Sequence, residues 1–129
     1  MAKFEISIVD DDESVREAMS GLMRSIGFAA NAFPSGESFL KSSRLQRTAC
    51  LIADVQMPGM TGLELHHRLL ASGNPVPTIL ITAHVDEKVR AQAQNAGVVA
   101  YLPKPVDESE LLSCIHSALK GQERNETES

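Results

Sequence analysis

The chain is short of several things, and each shortage narrows what it can be. Its 129 residues include no Trp, one Tyr and four Phe, so aromatics make up only 4%. Proteins that hold single-stranded nucleic acid stack bases on aromatic side chains, and few are available here. Positive charge is also scarce. Lys and Arg number 12 against 17 Asp and Glu, a net charge of −5, and no basic stripe stands out to follow a phosphate backbone. Direct nucleic-acid binding by this chain alone is therefore not expected. No apolar run is long enough to span a membrane and no signal-peptide pattern is present, so a membrane role is not expected either. The only cysteines are Cys50 and Cys114. Two thiols cannot build a structural zinc site, and read as buried free thiols they fit a reducing, cytoplasmic setting.

What the chain does have is apolar sequence in short pieces. Hydrophobic residues reach 43%, enough for a globular chain, and the length suits one domain with one sizeable core. Strand candidates are Phe4–Val9, Phe28–Phe33, Cys50–Ala53, Thr78–Ile81 and Val98–Leu102. Helical spacing separates them: Val15, Ala18, Met19, Leu22, Met23 and Ile26 recur on one face, and Gly27 stops that helix. Ser35 can cap a short helix, residues 62–72 read as a third, 86–95 as a fourth with a thin apolar stripe, and Asp107 caps a fifth. Five repeats of strand then helix predict an α/β fold, a five-stranded parallel sheet with helices on both faces. The common small solution is the doubly wound, flavodoxin-like order 2-1-3-4-5. Residues 1–120 form the expected domain. Residues 121–129 are polar and charged and read as a tail or the start of a linker.

In such a sheet, ligands sit beyond the carboxyl ends of the strands, at the switch point between strands 1 and 3. The first strand runs out into Asp10, Asp11 and Asp12, the third into Asp54, the fourth into Thr82, and the fifth is followed by Lys104. Clustered carboxylates repel one another and need a cation or raised pKa values. One lysine cannot neutralise three acids, and all-oxygen ligation suits Mg²⁺. A carboxylate nucleophile, a metal, a lysine and a hydroxyl donor are what phosphoryl transfer demands. Asp54, alone at its strand end and opposite the acid pair, is the candidate nucleophile.

At these residues the chain resembles the receiver domain of two-component response regulators. The motifs are Ile8-Val9-Asp10-Asp11-Asp12, Asp54-Val55-Gln56-Met57-Pro58-Gly59-Met60-Thr61-Gly62, Ile79-Leu80-Ile81-Thr82-Ala83 and Lys104-Pro105. The resemblance implies that Asp54 accepts a phosphoryl group from a histidine kinase or histidine phosphotransfer protein in a phosphorelay. It implies that Asp11, Asp54 and the backbone carbonyl of Gln56 hold Mg²⁺, for which Mn²⁺ can substitute, with Asp10 acting on the metal through water. Lys104 would hold a phosphate oxygen, Thr82 would close on the phosphate, and Tyr101 would be the aromatic switch. Lys104–Pro105 would be a cis peptide, and Gln56 and His84 would tune hydrolysis. Such a chain is a signalling phosphoacceptor that catalyses only its own phosphorylation and dephosphorylation. Its output surface, over about residues 86–119, would engage a downstream protein or domain or form a phosphorylation-linked homodimer. The Thr82-Ala83-His84 stretch, with Asp86 shortly after, resembles the FixJ branch of transcriptional regulators. FixJ-branch proteins carry a DNA-binding domain after the receiver, so the chain is expected to be either a stand-alone receiver or an excised one.

Two other readings compete. Asp10-x-Asp12 after an apolar strand also resembles the opening of haloacid-dehalogenase-type phosphatases. There the expected Thr after the motif is absent, since Glu13 and Ser14 follow, and Asp54 would have no task. A receiver-like binding module that is never phosphorylated is the other alternative, and the intact set of acids, Thr82 and Lys104 argues against it.

Overall fold

A computed structural model describes the backbone of residues 3–128 and the side chains of residues 3–120. Five strands, β1 (Glu5–Val9), β2 (Ala29–Phe33), β3 (Thr48–Asp54), β4 (Thr78–Thr82) and β5 (Ala100–Pro103), alternate with five helices. The helices are α1 (Glu13–Ser25), α2 (Gly36–Lys41), α3 (Gly62–Ala71), α4 (Glu87–Asn95) and α5 (Glu108–Glu128). All strands are parallel, in the order β2-β1-β3-β4-β5. The expected polar tail over 121–129 lies outside the residues whose side chains are described. No helix among the described residues is long and apolar enough to cross a membrane.

Period-two alternation along the strands divides the core into two layers. Ile6 and Ile8 of β1, Cys50 and Ile52 of β3, and Ile79 and Ile81 of β4 pack with Met19 and Met23 of α1 and Leu111 and Ile115 of α5. Their neighbours Val9, Leu51, Ala53 and Leu80 pack on the opposite side with Phe39 of α2, Leu65 and Leu69 of α3 and Ala93 of α4. The central strands are therefore apolar on both faces, which is why they read as continuous runs rather than alternating ones. Cys50 lies in this core, where burial pushes its thiol up to about 12 and keeps it unreactive. Cys114, expected to be buried, is only half-buried on α5.

Two strand starts differ from the sequence reading by two residues, the other strand ends by one or none. The third strand starts at Thr48, because Thr48 Oγ1 bonds Ser7 Oγ (2.6 Å) and donates to the Arg44 carbonyl (2.8 Å), giving two buried hydroxyls partners. A 3-10 turn over Ser43–Arg47, unmarked by any apolar periodicity, supplies that carbonyl. The fifth strand starts at Ala100 rather than Val98. The Val98 N–H is used to close the end of α4 on the Ala93 carbonyl (3.2 Å), next to Gly97 at φ +81°.

His66 is buried on α3 and was not marked by the sequence as more than a helix residue. Its Nε2 lies 2.9 Å from the Ala96 carbonyl at the end of α4, and its Nδ1 lies 3.0 Å from Thr78 Oγ1 on β4. A carbonyl only accepts, so Nε2 carries a proton. One imidazole thus ties α3, β4 and the C-terminus of α4. His66→Leu is expected to lower stability by about 1–3 kcal/mol, from polar groups left unpaired. A urea titration checks the loss, and amide exchange should speed up first around residues 93–98.

Candidate functional site

The strand ends bring the site together. Asp10 follows β1 and is fully buried; Asp54 closes β3 and is 5% exposed. Each carboxylate is aimed by the backbone two residues on. The Asp12 N–H donates to Asp10 Oδ1 (2.9 Å) and the Gln56 N–H donates to Asp54 Oδ1 (3.1 Å). The two outer oxygens then share one ammonium. Lys104 Nζ lies 3.1 Å from Asp10 Oδ2 and 3.2 Å from Asp54 Oδ2. Lys104 is placed by its own N–H, which donates to the Thr82 carbonyl (2.8 Å), and is followed by a cis bond to Pro105.

Carboxylate oxygens of Asp10, Asp11 and Asp54 all lie within 4.8 Å of one another, with Asp11 exposed at the mouth. The electrostatics are unbalanced. Burial raises the Asp54 pKa and the charge of Asp10 raises it further; the Gln56 amide and Lys104 pull it down without winning. Burial alone would lower the Lys104 pKa, but its bonds to Asp10 and Asp54 outweigh that and hold it above its usual value. The ammonium stays charged, and the acids still carry surplus negative charge. An all-oxygen donor set with that surplus fits a hard divalent cation.

Gly62 explains how the acceptor loop closes. A Cβ there would sit 2.5 Å from the Asp54 carbonyl oxygen, so only glycine lets the first turn of α3 pass this close. Thr61 and Glu64 form a reciprocal capping box that starts α3 at that point.

Other expected residues are placed nearby with distinct partners. Asp12 is the N-cap of α1, accepting from the Ser14 (2.8 Å) and Val15 (3.4 Å) N–H groups. That commitment leaves it poorly suited to the acid/base part a phosphatase would need. Thr82 is fully buried at the end of β4. Its one hydroxyl proton has two acceptors in reach, Gln56 Oε1 (2.9 Å) and the His84 carbonyl (2.9 Å), and its oxygen accepts from the His84 N–H (3.1 Å). Tyr101 is buried, its hydroxyl accepting from the Asp86 N–H (3.2 Å), with the Arg90 guanidinium 5.0 Å from the ring centroid. Two features escaped the sequence reading. Arg16 Nη1 donates to the Asp10 carbonyl (2.8 Å), although in sequence it is one more charge on a solvated helix. The side-chain link from Gln56 to Thr82 also carries no local sequence signal, because 26 residues separate them.

Two carboxylates bridged by one lysine at the switch point of a 2-1-3-4-5 sheet define a signalling domain of the receiver class. Residues 6–116 match the family described as the response regulator receiver domain, and the chain belongs to that family. It is 43% identical over 115 residues to the response regulator protein TodT of Pseudomonas putida, covering 89% of this chain and 51% of TodT. It is 33% identical over 121 residues to the transcriptional regulatory protein FixJ of Bradyrhizobium diazoefficiens, covering 94% of this chain and 59% of FixJ. The chain thus spans little more than half the length of these relatives. Among solved structures it is similar to the response regulator StyR, with a TM-score of 0.87 and 40% identity over 98% of this chain and 65% of that one. It is also similar to FixJ-N, with a TM-score of 0.81 and 31% identity over 93% of this chain and 96% of that one.

The raised Asp54 pKa carries a stability consequence. The fold holds that proton more tightly than the unfolded chain does, so stability is lost as pH rises through the window between the two pKa values. Asp54→Asn is expected to raise the urea midpoint at pH 7. The gain over wild type should shrink as the pH falls through that acidic window, as urea titrations at several pH values would show.

Proposed function

We propose that Asp54 accepts a phosphoryl group from a phosphohistidine on a histidine kinase or histidine phosphotransfer protein, in a cytoplasmic signalling step. The observation that carries this reading is the shared ammonium: Lys104 holds Asp10 and Asp54 side by side, 3.1 and 3.2 Å away. An Asp54 oxygen forms the new bond to phosphorus while the donor's phosphorus–nitrogen bond breaks, its electron pair leaving with the imidazole. Lys104 is placed to pair with the charge that arrives, and Thr82, at the end of β4, would close on a phosphate oxygen. Asp11, Asp54 and the Gln56 carbonyl would hold Mg²⁺, with Asp10 acting through water. When bound, the ion supplies positive charge against the acids and the incoming oxygens. Asp10 and Arg16 contribute on the protein's side: the guanidinium fixes the Asp10 backbone, and the Asp12 N–H fixes its carboxylate.

The product carries roughly −1.5 to −2 charges where one stood before. That change is read by Thr82 and Lys104, with Tyr101 as the aromatic element, and is passed to the surface over residues 86–119. α4 suits that task, since Ala93 is its one buried side chain among the described residues. We infer that residues 1–120 act as the receiver unit, with 121–129 a polar tail or the start of a linker, and that the output is a downstream protein or domain. The name of FixJ as a transcriptional regulatory protein supports control of transcription through such an output or through a homodimer.

Incubation with Mg²⁺ and acetyl phosphate is expected to add one phosphate, read as a single mass increment. Asp54→Asn and chelation by EDTA should each abolish it. Amide resonances over residues 82–105 should shift on phosphorylation, and identical spectra would refute the switch.

A further inference from the structure

Before any phosphate arrives, the hydroxyl of Thr82 already has partners. Three hydrogen bonds close into a ring. Thr82 Oγ1 donates to Gln56 Oε1 (2.9 Å), Gln56 Nε2 donates to the His84 carbonyl (3.4 Å), and the His84 N–H donates back to Thr82 Oγ1 (3.1 Å). Donor and acceptor alternate among the three residues, and the His84 carbonyl, also 2.9 Å from Thr82 Oγ1, is the competing acceptor for the same proton. The amide of Gln56 fits in one sense only, because turning it over would set its oxygen against the His84 carbonyl oxygen. The hydroxyl has one proton, and Gln56 Oε1 and the His84 carbonyl are the acceptors within its reach.

We propose that the Gln56 side chain is a latch on Thr82, a positioning residue that holds the switch hydroxyl in its resting place and sets how readily the domain enters the phosphate-bound arrangement. This rests on the phosphoacceptor reading above and goes beyond a part in hydrolysis: it acts on the equilibrium before phosphate is bound. Thr82 must give up the Gln56 bond to donate to a phosphate oxygen, since it has one proton to give. A ligand that binds only the released arrangement binds more weakly by the fraction of time the latch is closed. Thr82 is fully buried, while Gln56 and His84 face water, which competes for their side of the ring. The latch is therefore modest: one net hydrogen bond corresponds to about a two- to tenfold effect.

Beryllofluoride with Mg²⁺, a mimic of the phosphoryl group, separates this from an effect on hydrolysis, because nothing is hydrolysed. Gln56→Met keeps the length of the side chain and the backbone carbonyl but removes the amide. It is expected to bind beryllofluoride about two- to tenfold more tightly than wild type. In a Thr82→Val background, where there is no hydroxyl to hold, the same substitution should change nothing. Tightening of equal size in both backgrounds, or none in the first, overturns the latch. In the unloaded protein, the His84 amide should exchange faster in Gln56→Met; unchanged exchange counts against the ring. Should wild type itself fail to take up beryllofluoride with Mg²⁺, the phosphoacceptor reading falls and the latch with it. Uptake by wild type without coupling to Thr82 removes the latch alone.

Discussion

Three strands deliver two buried carboxylates and one ammonium to a single point, and the rest of the site is arranged around keeping them there. Asp10 and Asp54 would repel each other across the gap between β1 and β3. Lys104, from beyond β5, offsets that repulsion by bonding to both. Pairing a buried charge is costly to undo, because the partner left behind stays desolvated. The geometry of the sheet is what makes the three residues meet. Parallel strands point their carboxyl ends the same way, and the order 2-1-3-4-5 opens the crevice between β1 and β3. The same arrangement leaves more negative charge than one lysine can neutralise. A domain built in this way is primed for a divalent cation and then for the anion that the cation attracts.

Much of this was legible in the chain. Short apolar runs ending in Asp10, Asp54 and Thr82 could be placed on a sheet because α/β alternation leaves few topologies, and the motif spacing tied Lys104 to the same edge. Strand and helix types followed from periodicity and held in the structure. What could not be read has a common physical character. The start of β3 depends on Ser7, Thr48 and the Arg44 carbonyl meeting across the fold. The burial of His66 depends on Thr78 and on the end of α4. Gln56 finds Thr82 only once β3 and β4 are paired. Each is a polar side chain whose partner is chosen by tertiary structure, and hydrophobic patterning carries no information about such choices.

The polar contacts around the site form two groups with different exposure. Asp10 and Asp54 are buried at the strand ends and Lys104 is partly buried beside them, so their mutual interactions are less screened than those of surface groups. Gln56, His84 and Asp86 lie at the surface, where each hydrogen bond exchanges readily with water. On the proposed reading the chemistry thus sits on the buried part of the molecule and the regulation on the exposed part. A domain that must both react and report needs this division, since a rigid reporter could not change and a soft reaction centre could not align.

α4 shows what that softness permits. Its one fully buried side chain is the methyl group of Ala93, in a layer that includes Phe39, Leu65, Leu69 and Leu80, with Val89 partly buried beside it. Drawing a leucine out of a close-packed layer opens a large hole; drawing out an alanine opens almost none. A slide or tilt of the helix would leave the core beneath it nearly sealed. α4 is also held by polar fastenings at its two ends, the Asp86 N–H on the Tyr101 hydroxyl and the Ala96 carbonyl on His66, and along its length by partly buried Val89 and by Arg90 over the Tyr101 ring. The helix is hung like a drawbridge more than it is mortared in place, and on the proposed reading a signal that slips one fastening would change the face that a partner meets.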